Sequence, residues 1–260
     1  MRALLSIQPS HPSPRSLLME SSNSTPPSKV EIAPVARMAV FRFLFLGAFM
    51  LAVLFLSADR LDWWEAWAYM AVALVPMIVA RFYLIFTAPD QIVERVDAPQ
   101  REHVKPWDRI FVLVIAFLGP VAAWIVAGLD VRYGWSPDLP IAIQIVALVF
   151  VLAGTTFSNW AMIVNRFYSS HVRIQKDRGH AVVDRGPYRV LRHPGYAGDL
   201  VSWIAIPFFF SSIWIAIPCL GVILTYFVRT ALEDRTLQEE LPGYREYAGK
   251  VRFRLVPGIW

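Results

Sequence analysis

The sequence predicts an all-α fold: a polytopic membrane helical bundle of about six transmembrane helices, with a C-terminal helical hairpin and no Rossmann domain. Three observations predict it. Of the 260 residues, 56% are hydrophobic and 17% charged, against about 45–50% and about 25% in a soluble domain. The apolar residues gather in runs that reach the roughly 20 residues a membrane span requires. Of the 25 Lys and Arg, 22 fall in alternate loops. The same composition excludes a chain disordered throughout. It also argues against a nucleic-acid module, although the pI near 9.5 is basic, because the apolar content is far too high. A single cysteine, Cys219, excludes an intramolecular disulfide, a CxxC redox centre and a cysteine-based zinc site.

Residues 1–36 are expected to form a tail, and residues 37–260 the membrane domain. From Ser6 to Pro34 the chain is dense in Ser and Pro and buries too little to offset chain entropy, so the tail is expected to be disordered. Pro9, Pro12 and Pro14 break any signal-peptide core. The spans follow in order: Val40–Ser57, then Trp64–Phe86 in spite of Pro76, then Ile110–Leu129, then Ile141–Val164. The apolar run Leu200–Val228 is too long for one ordinary span. Ser211-Ser212 near its middle, with Pro207 and Pro218 on either side, divides it into a tight hairpin of two short spans. One long kinked helix is the rival reading.

Charge supplies the orientation, because cytoplasmic loops carry the excess of Lys and Arg. The tail, Arg81–Arg109, Arg166–Arg192 and Arg229–Arg254 hold the 22 basic residues; the opposite side has Arg60 and Arg132 beside Asp59, Asp62, Glu65, Asp130 and Asp138. Arg42, one turn into the first span, can snorkel. Six spans with both termini in the cytoplasm satisfy this pattern. Trp63, Trp64, Trp67 and Trp135 then fall at the outer interface, and Trp107 and Trp160 at the inner one, where aromatic belts form.

The outer loops leave no room for a catalytic domain, so a site is expected at the cytoplasmic face. The loop from Asn165 to Gly198 contains His180, Gly186-Pro187-Tyr188, Arg192-His193-Pro194 and Tyr196. Gly186-Pro187 signals a turn, and Pro194 is expected to hold His193 extended. Lipid attraction alone would need only Lys and Arg; two constrained turns with His and Tyr suggest a shaped polar pocket. Downstream, Arg229, Glu233 and Leu237 recur at helical spacing and share a face. Left to themselves, Arg229 and Glu233 could form an ordinary ion pair at a solvated helix end, and Pro242-Gly243 ends the helix. The five histidines, His11, His103, His171, His180 and His193, show no metal-binding spacing, and neither GxSxG nor GxGxxG occurs. Thr155, Thr156, Ser158, Asn159 and Asn165 on the fourth span must face protein or a cavity; helix packing is the commoner reason.

At these two segments the sequence resembles the isoprenylcysteine carboxyl methyltransferase and phospholipid methyltransferase superfamily, integral membrane enzymes that use S-adenosyl-L-methionine. The likeness lies in His180, Gly186-Pro187-Tyr188, Arg192-His193-Pro194 and Tyr196, then Arg229, Glu233 and Leu237, then Gly243, Tyr244, Tyr247 and Pro257, and covers the motif-bearing core 165–260. It departs from the family pattern at Asp234, where a second Glu is usual, at Pro242 and at Gly195. The resemblance implies that His180, Val183, Gly186, Pro187, Tyr188, Arg192, His193, Pro194, Tyr196 and Glu233 surround the cofactor. Arg229 and Glu233 would be the catalytic pair, Arg229 near the acceptor and the departing sulfur. The acceptor would be a lipophilic small molecule or lipid drawn from the bilayer, with no metal and no nucleic acid. The string His193-Pro-Gly-Tyr-Ala-Gly198-Asp199 also resembles NADPH-dependent membrane sterol reductases, which keeps an oxidoreductase as the alternative.

Overall fold

The computed structural model describes residues 29–97 and 104–260; residues 1–28 of the expected tail lie outside the described residues. In chain order the helices are α1 (Lys29–Ala58), α2 (Trp64–Thr87), α3 (Pro89–Asp97), α4 (Asp108–Tyr133), α5 (Ile141–Val164), α6 (Pro194–Phe209), α7 (Ala216–Glu240) and α8 (Tyr244–Lys250). Helix α1 thus starts upstream of the boundary drawn at residue 37. The apolar part of α1 from Ala36, with α2, α4, α5 and α7, makes five helices long and apolar enough to cross a membrane. Large apolar side chains such as Phe41, Leu44, Phe82, Phe86, Phe150 and Ile217 point outward, uncovered by protein. Helices apolar on all sides are those of a membrane bundle.

Helix α6 has 16 residues, about 24 Å at 1.5 Å per residue, and forms the short first arm of the expected hairpin. The chain reverses between Phe209 and Ala216, with Ser211 at a φ of 52°, so the single kinked helix is excluded. Three hydroxyl contacts hold the turn. Ser212 Oγ donates to the buried Asp130 carboxylate at the end of α4. That carboxylate also accepts from Ser136 N at 2.8 Å and Ser136 Oγ at 2.7 Å. Ser211 Oγ accepts from Leu139 N at 3.2 Å.

Two prolines are absorbed inside spans. Pro76 has no N–H to give to Val72 O, and Thr155 Oγ1 of α5 reaches that freed carbonyl at 3.3 Å. Asn159 Nδ2 donates to Thr155 O at 2.8 Å. Thr155 and Asn159 of the fourth span therefore serve packing, the commoner explanation, whereas Asn165 lines the cleft described below. Before Gly119-Pro120, residues Val114–Leu118 widen into a π turn, the usual response to a donor missing from the ladder.

Helices α5 and α6 touch backbone to backbone. A Cβ on Gly198 would lie 2.5 Å from Gly154 O and 2.8 Å from Ser158 N, and one on Gly154 would lie 2.4 Å from Gly198 O. Small residues permit such crossings in membranes, where association relies on close packing rather than hydrophobic transfer. Trp63 departs from the interfacial belt: it is buried against Phe55 and Phe210, whereas Trp64, Trp67, Trp135 and Trp160 are exposed.

Candidate functional site

The loop 165–193, the start of α6 and the far half of α7 meet at one end of the bundle around a cleft. Its atom-free space is about 790 Å³ with the open mouth included. Of the residues predicted for the site, His180, Val183, Tyr188, Arg192, His193, Tyr196, Arg229 and Glu233 line it. Leu237, Tyr244 and Tyr247 line it too, so the helical spacing of Arg229, Glu233 and Leu237 does put one face of α7 on the cleft.

Gly186, Pro187 and Pro194 are not on the wall. Gly186 opens a tight 3₁₀ turn, Gly186–Arg189, at a φ of 57°, and with Pro187 buried behind it presents Tyr188. Pro194 begins α6. His193 is less extended than its proline suggested, at φ −125° and ψ 61°. Its carbonyl must turn to accept Ala197 N at 3.1 Å, while its own N–H donates to Arg254 O at 3.0 Å.

Arg229 does not pair with Glu233. Its Nε donates to Asp108 Oδ1 at 2.8 Å and its Nη2 to Asp108 Oδ2 at 3.3 Å. Nη2 also donates to Ser170 O at 2.9 Å, and the guanidinium lies 5.2 Å from the Tyr196 ring centre. Asp108 is 0% exposed and accepts Val172 N at 2.9 Å as well. A buried charge survives only when paired and hydrogen-bonded; here each partner satisfies the other and fixes loop 169–172 above α4. Glu233 Oε2 instead accepts the Tyr196 hydroxyl at 2.6 Å.

Asp234, the departure from the family's second Glu, faces away from the cleft and is a structural hub. It takes Arg254 at 2.9 Å, Tyr244 Oη at 3.1 Å, Gln238 Nε2 at 2.7 Å and Arg192 at 3.3 Å. It thereby ties α7 to the Arg192-His193 corner and to the C-terminal strap, where Arg192 N donates to Phe253 O at 2.9 Å. The departure at Gly195 also has a steric reason. A Cβ there would come 2.6 Å from Tyr168 Oη, so Tyr168 occupies the space of the missing side chain.

Asp108 and Tyr168 were not marked by sequence reasoning. Asp108 carried no distinguishing signal: it is one acid beside Asp90, Glu94, Asp97 and Glu102 in a segment of balanced charge. Helix α3 was missed as well, and it clamps the site loop. Its Glu94 carboxylate takes Arg173 at 2.8 and 2.7 Å, Asp90 takes Arg178 at 2.6 Å and Arg166 at 3.1 Å, and Gln91 Nε2 donates to Met162 O at 2.8 Å. Both ions of the Glu94–Arg173 pair are almost wholly buried.

Three titratable groups of the loop, His180, Tyr168 and Tyr188, stay neutral. Burial, with the charges of Arg173 and Arg178, pushes His180 down to about 4; its Nδ1 accepts Gln175 N at 3.3 Å, a bond open only to an unprotonated nitrogen. Burial pushes Tyr168 up to about 12 and Tyr188 well above the usual phenol value. A histidine depressed on folding binds its proton better when unfolded. The stability it contributes is therefore complete above its unfolded pKa of 6.5 and is lost as pH falls toward 4. At about 1.4 kcal/mol per unit this amounts to at most about 3–4 kcal/mol. Thermal unfolding in detergent from pH 7.5 to 4.5 should show the decline, and His180→Gln should flatten it, leaving the smaller slope from His171, which burial also depresses.

The sequence model of the isoprenylcysteine carboxyl methyltransferase family matches residues 146–239. Two relatives from Oryza sativa, subspecies indica and japonica, each named "Probable protein-S-isoprenylcysteine O-methyltransferase", are 33% identical to this chain over 60 residues. That stretch is 23% of this chain and 31% of each relative, so the alignment spans about a third of their length. The matched segment runs from α5 through the site loop and the hairpin and supplies most of the cleft wall. This motif-bearing part of the chain, residues 146–239, is similar to the isoprenylcysteine carboxyl methyltransferase family and is set in an integral membrane helical bundle.

Proposed function

We propose that this protein transfers a methyl group from S-adenosyl-L-methionine to a lipophilic acceptor at the cytoplasmic face of the membrane, most like carboxyl O-methylation of an isoprenylcysteine. The observation that carries this reading is the cleft itself: two segments separated by the hairpin converge on it, and both bear the family's motif residues. The donor set fits the cofactor. Tyrosine faces and a carboxylate suit a sulfonium cation, and Tyr188, Tyr196, Tyr244 and Glu233 line one wall. Arg192 Nε is buried, lacks a hydrogen-bond partner and belongs to a side chain on the cleft, a group that a polar ligand would satisfy, whereas His193 Nε2 lies 3.5 Å from Asp234 Oδ1.

When bound, S-adenosyl-L-methionine supplies an electrophilic methyl group. His180, Val183, Tyr188, Arg192, His193 and Tyr196 would hold it. Glu233, fixed by the Tyr196 hydroxyl, would lie by its positive centre. Arg229, immobilised by Asp108 and Ser170, keeps Nη1 without a protein partner among the described residues and can meet the acceptor. An ionised carboxylate needs no general base, so the chain contributes by positioning and by excluding water. The pair that suggested a reductase has structural duties here: Gly198 permits the α5–α6 crossing, and Asp199 Oδ2 accepts Tyr226 Oη at 2.9 Å. The basic loops around the cleft support a cytoplasmic site with both termini on that side, which a topology reporter fused after Trp260 would read.

The test is binding to the purified full chain in detergent. S-adenosylhomocysteine should bind saturably and NADPH should not. Glu233→Gln should weaken binding of S-adenosyl-L-methionine about 10-fold, the scale of one charged contact, and of S-adenosylhomocysteine, which has no sulfonium charge, by less; Tyr196→Phe should have a smaller effect. Saturable NADPH binding with none of S-adenosylhomocysteine would sink the reading. Labelled methyl transfer across prenylcysteine, lipid-amine and thiol acceptors then identifies the acceptor.

A further inference from the structure

Two arginines beside the cleft stand apart from the other cations of the site. Arg229, Arg173, Arg178, Arg192 and Arg254 each have a carboxylate partner. Arg81 of α2 and Arg95 of α3 form no ion pair among the described residues. Arg95 lies 5.2 Å from the ring centre of Tyr168, a cleft residue, and its Nη1 is buried with no hydrogen-bond partner. Arg81 Nη1 meets only the Met162 thioether. The two positive charges act on each other, and the charges of Asp199 and Arg229 reach Arg95. Asp199, the acid in range, is engaged by the Tyr226 hydroxyl.

Like charges held near each other at partly buried positions are costly unless an anion joins them. Two guanidinium groups offer planar, paired donors that match a carboxylate. Their depth matters as well. Arg81 sits six residues before the end of α2, about 9 Å along the helix, where the headgroup of an amphiphile lies while its tail stays among the spans.

We propose that Arg81 and Arg95 form an anion subsite behind Tyr168 that holds the ionised carboxylate of the lipophilic acceptor. It rests on the methyltransferase reading and adds to it a specificity element from α2 and α3, outside the segment 146–239 that matches the family. Arg229 is held by Asp108, so the acceptor's charge is recognised chiefly by this second pair.

The test compares the binding of N-acetyl-S-farnesylcysteine and its carboxamide to the full chain in detergent, alongside S-adenosylhomocysteine. The wild type should prefer the carboxylate at least about 10-fold. Arg95→Gln and Arg81→Gln should each erase that preference and leave S-adenosylhomocysteine affinity unchanged, which also shows that the variants are folded. Arg95→Lys should keep part of it. Equal affinity of the wild type for the two ligands overturns the proposal without any variant. So does a preference that survives Arg81→Gln and Arg95→Gln together. Binding of phosphatidylglycerol that depends on Arg95, without a carboxylate preference, assigns the pair to a lipid phosphate and overturns it too. Absence of S-adenosylhomocysteine binding instead removes the methyltransferase reading, and the carboxylate comparison, read by binding alone, still decides whether the subsite exists.

Discussion

Asp108→Ala should lower the proposed methyl transfer more than 100-fold and destabilise the protein by about 3–5 kcal/mol, the cost of stripping one partner from a buried ion pair. The effect comes from three bonds lost at once, two to Arg229 and one to Val172 N. Without them the guanidinium is left buried and uncompensated and the 169–172 loop is released from α4. Asp108→Asn keeps the shape but not the charge and should fall between. A double-mutant cycle separates stability from function. Arg229→Met with Asp108→Leu should recover much of the stability lost by either single change, since apolar replacement of a buried pair is often neutral, and should recover no turnover. Unfolding midpoints and single-turnover methyl transfer are the two measurements; recovery of turnover in the double variant would refute a positioning role for Asp108.

Gly198→Val should be the most damaging substitution in the hairpin. The new Cβ would meet Gly154 O at 2.5 Å and Ser158 N at 2.8 Å. Both are backbone atoms of a packed helix and cannot rotate aside, so α5 and α6 must separate. Overpacking of a flexible neighbour costs about 1–3 kcal/mol; a backbone clash at a helix crossing should reach or exceed the top of that range, about 3 kcal/mol. The cleft stands on this crossing, because α6 begins at His193-Pro194 and carries Tyr196. The yield of monodisperse protein and the S-adenosylhomocysteine affinity should fall together. Gly221→Ala is the control: nothing lies within 4 Å of its Cβ position, and it should change neither. A well-folded Gly198→Val protein that binds normally would show that the α5–α6 contact is not needed for the site.

The motif positions were legible because each is an unusual residue type at a fixed place: a Gly-Pro turn, an Arg-His-Pro corner, an acid four residues after Arg229 just past an apolar run. Their distribution between wall and scaffold was not. Gly186, Pro187 and Pro194 read as pocket residues and act as turns, and Asp234 reads as half of an acid pair and joins three separated segments. Asp108 was overlooked because one acid among several in a loop of balanced charge looks solvated, and only the buried Arg229 opposite it gives it a role. Tyr168 and Gly195 form a steric pair that neither residue announces alone.

The sequence by itself determined what depends on transfer free energy and local geometry: apolar runs of spanning length, a break at Ser211-Ser212, the helix end at Pro242-Gly243, and a one-sided excess of arginine. These follow from each segment's own composition, whatever its neighbours are. Tertiary structure alone decided the partners of the charges. Whether Arg229 meets Glu233 or Asp108, and whether Arg81 and Arg95 meet any acid at all, depends on which helices cross at the cleft. In a medium of low dielectric constant that choice separates a satisfied ion pair from an open receptor for an anion.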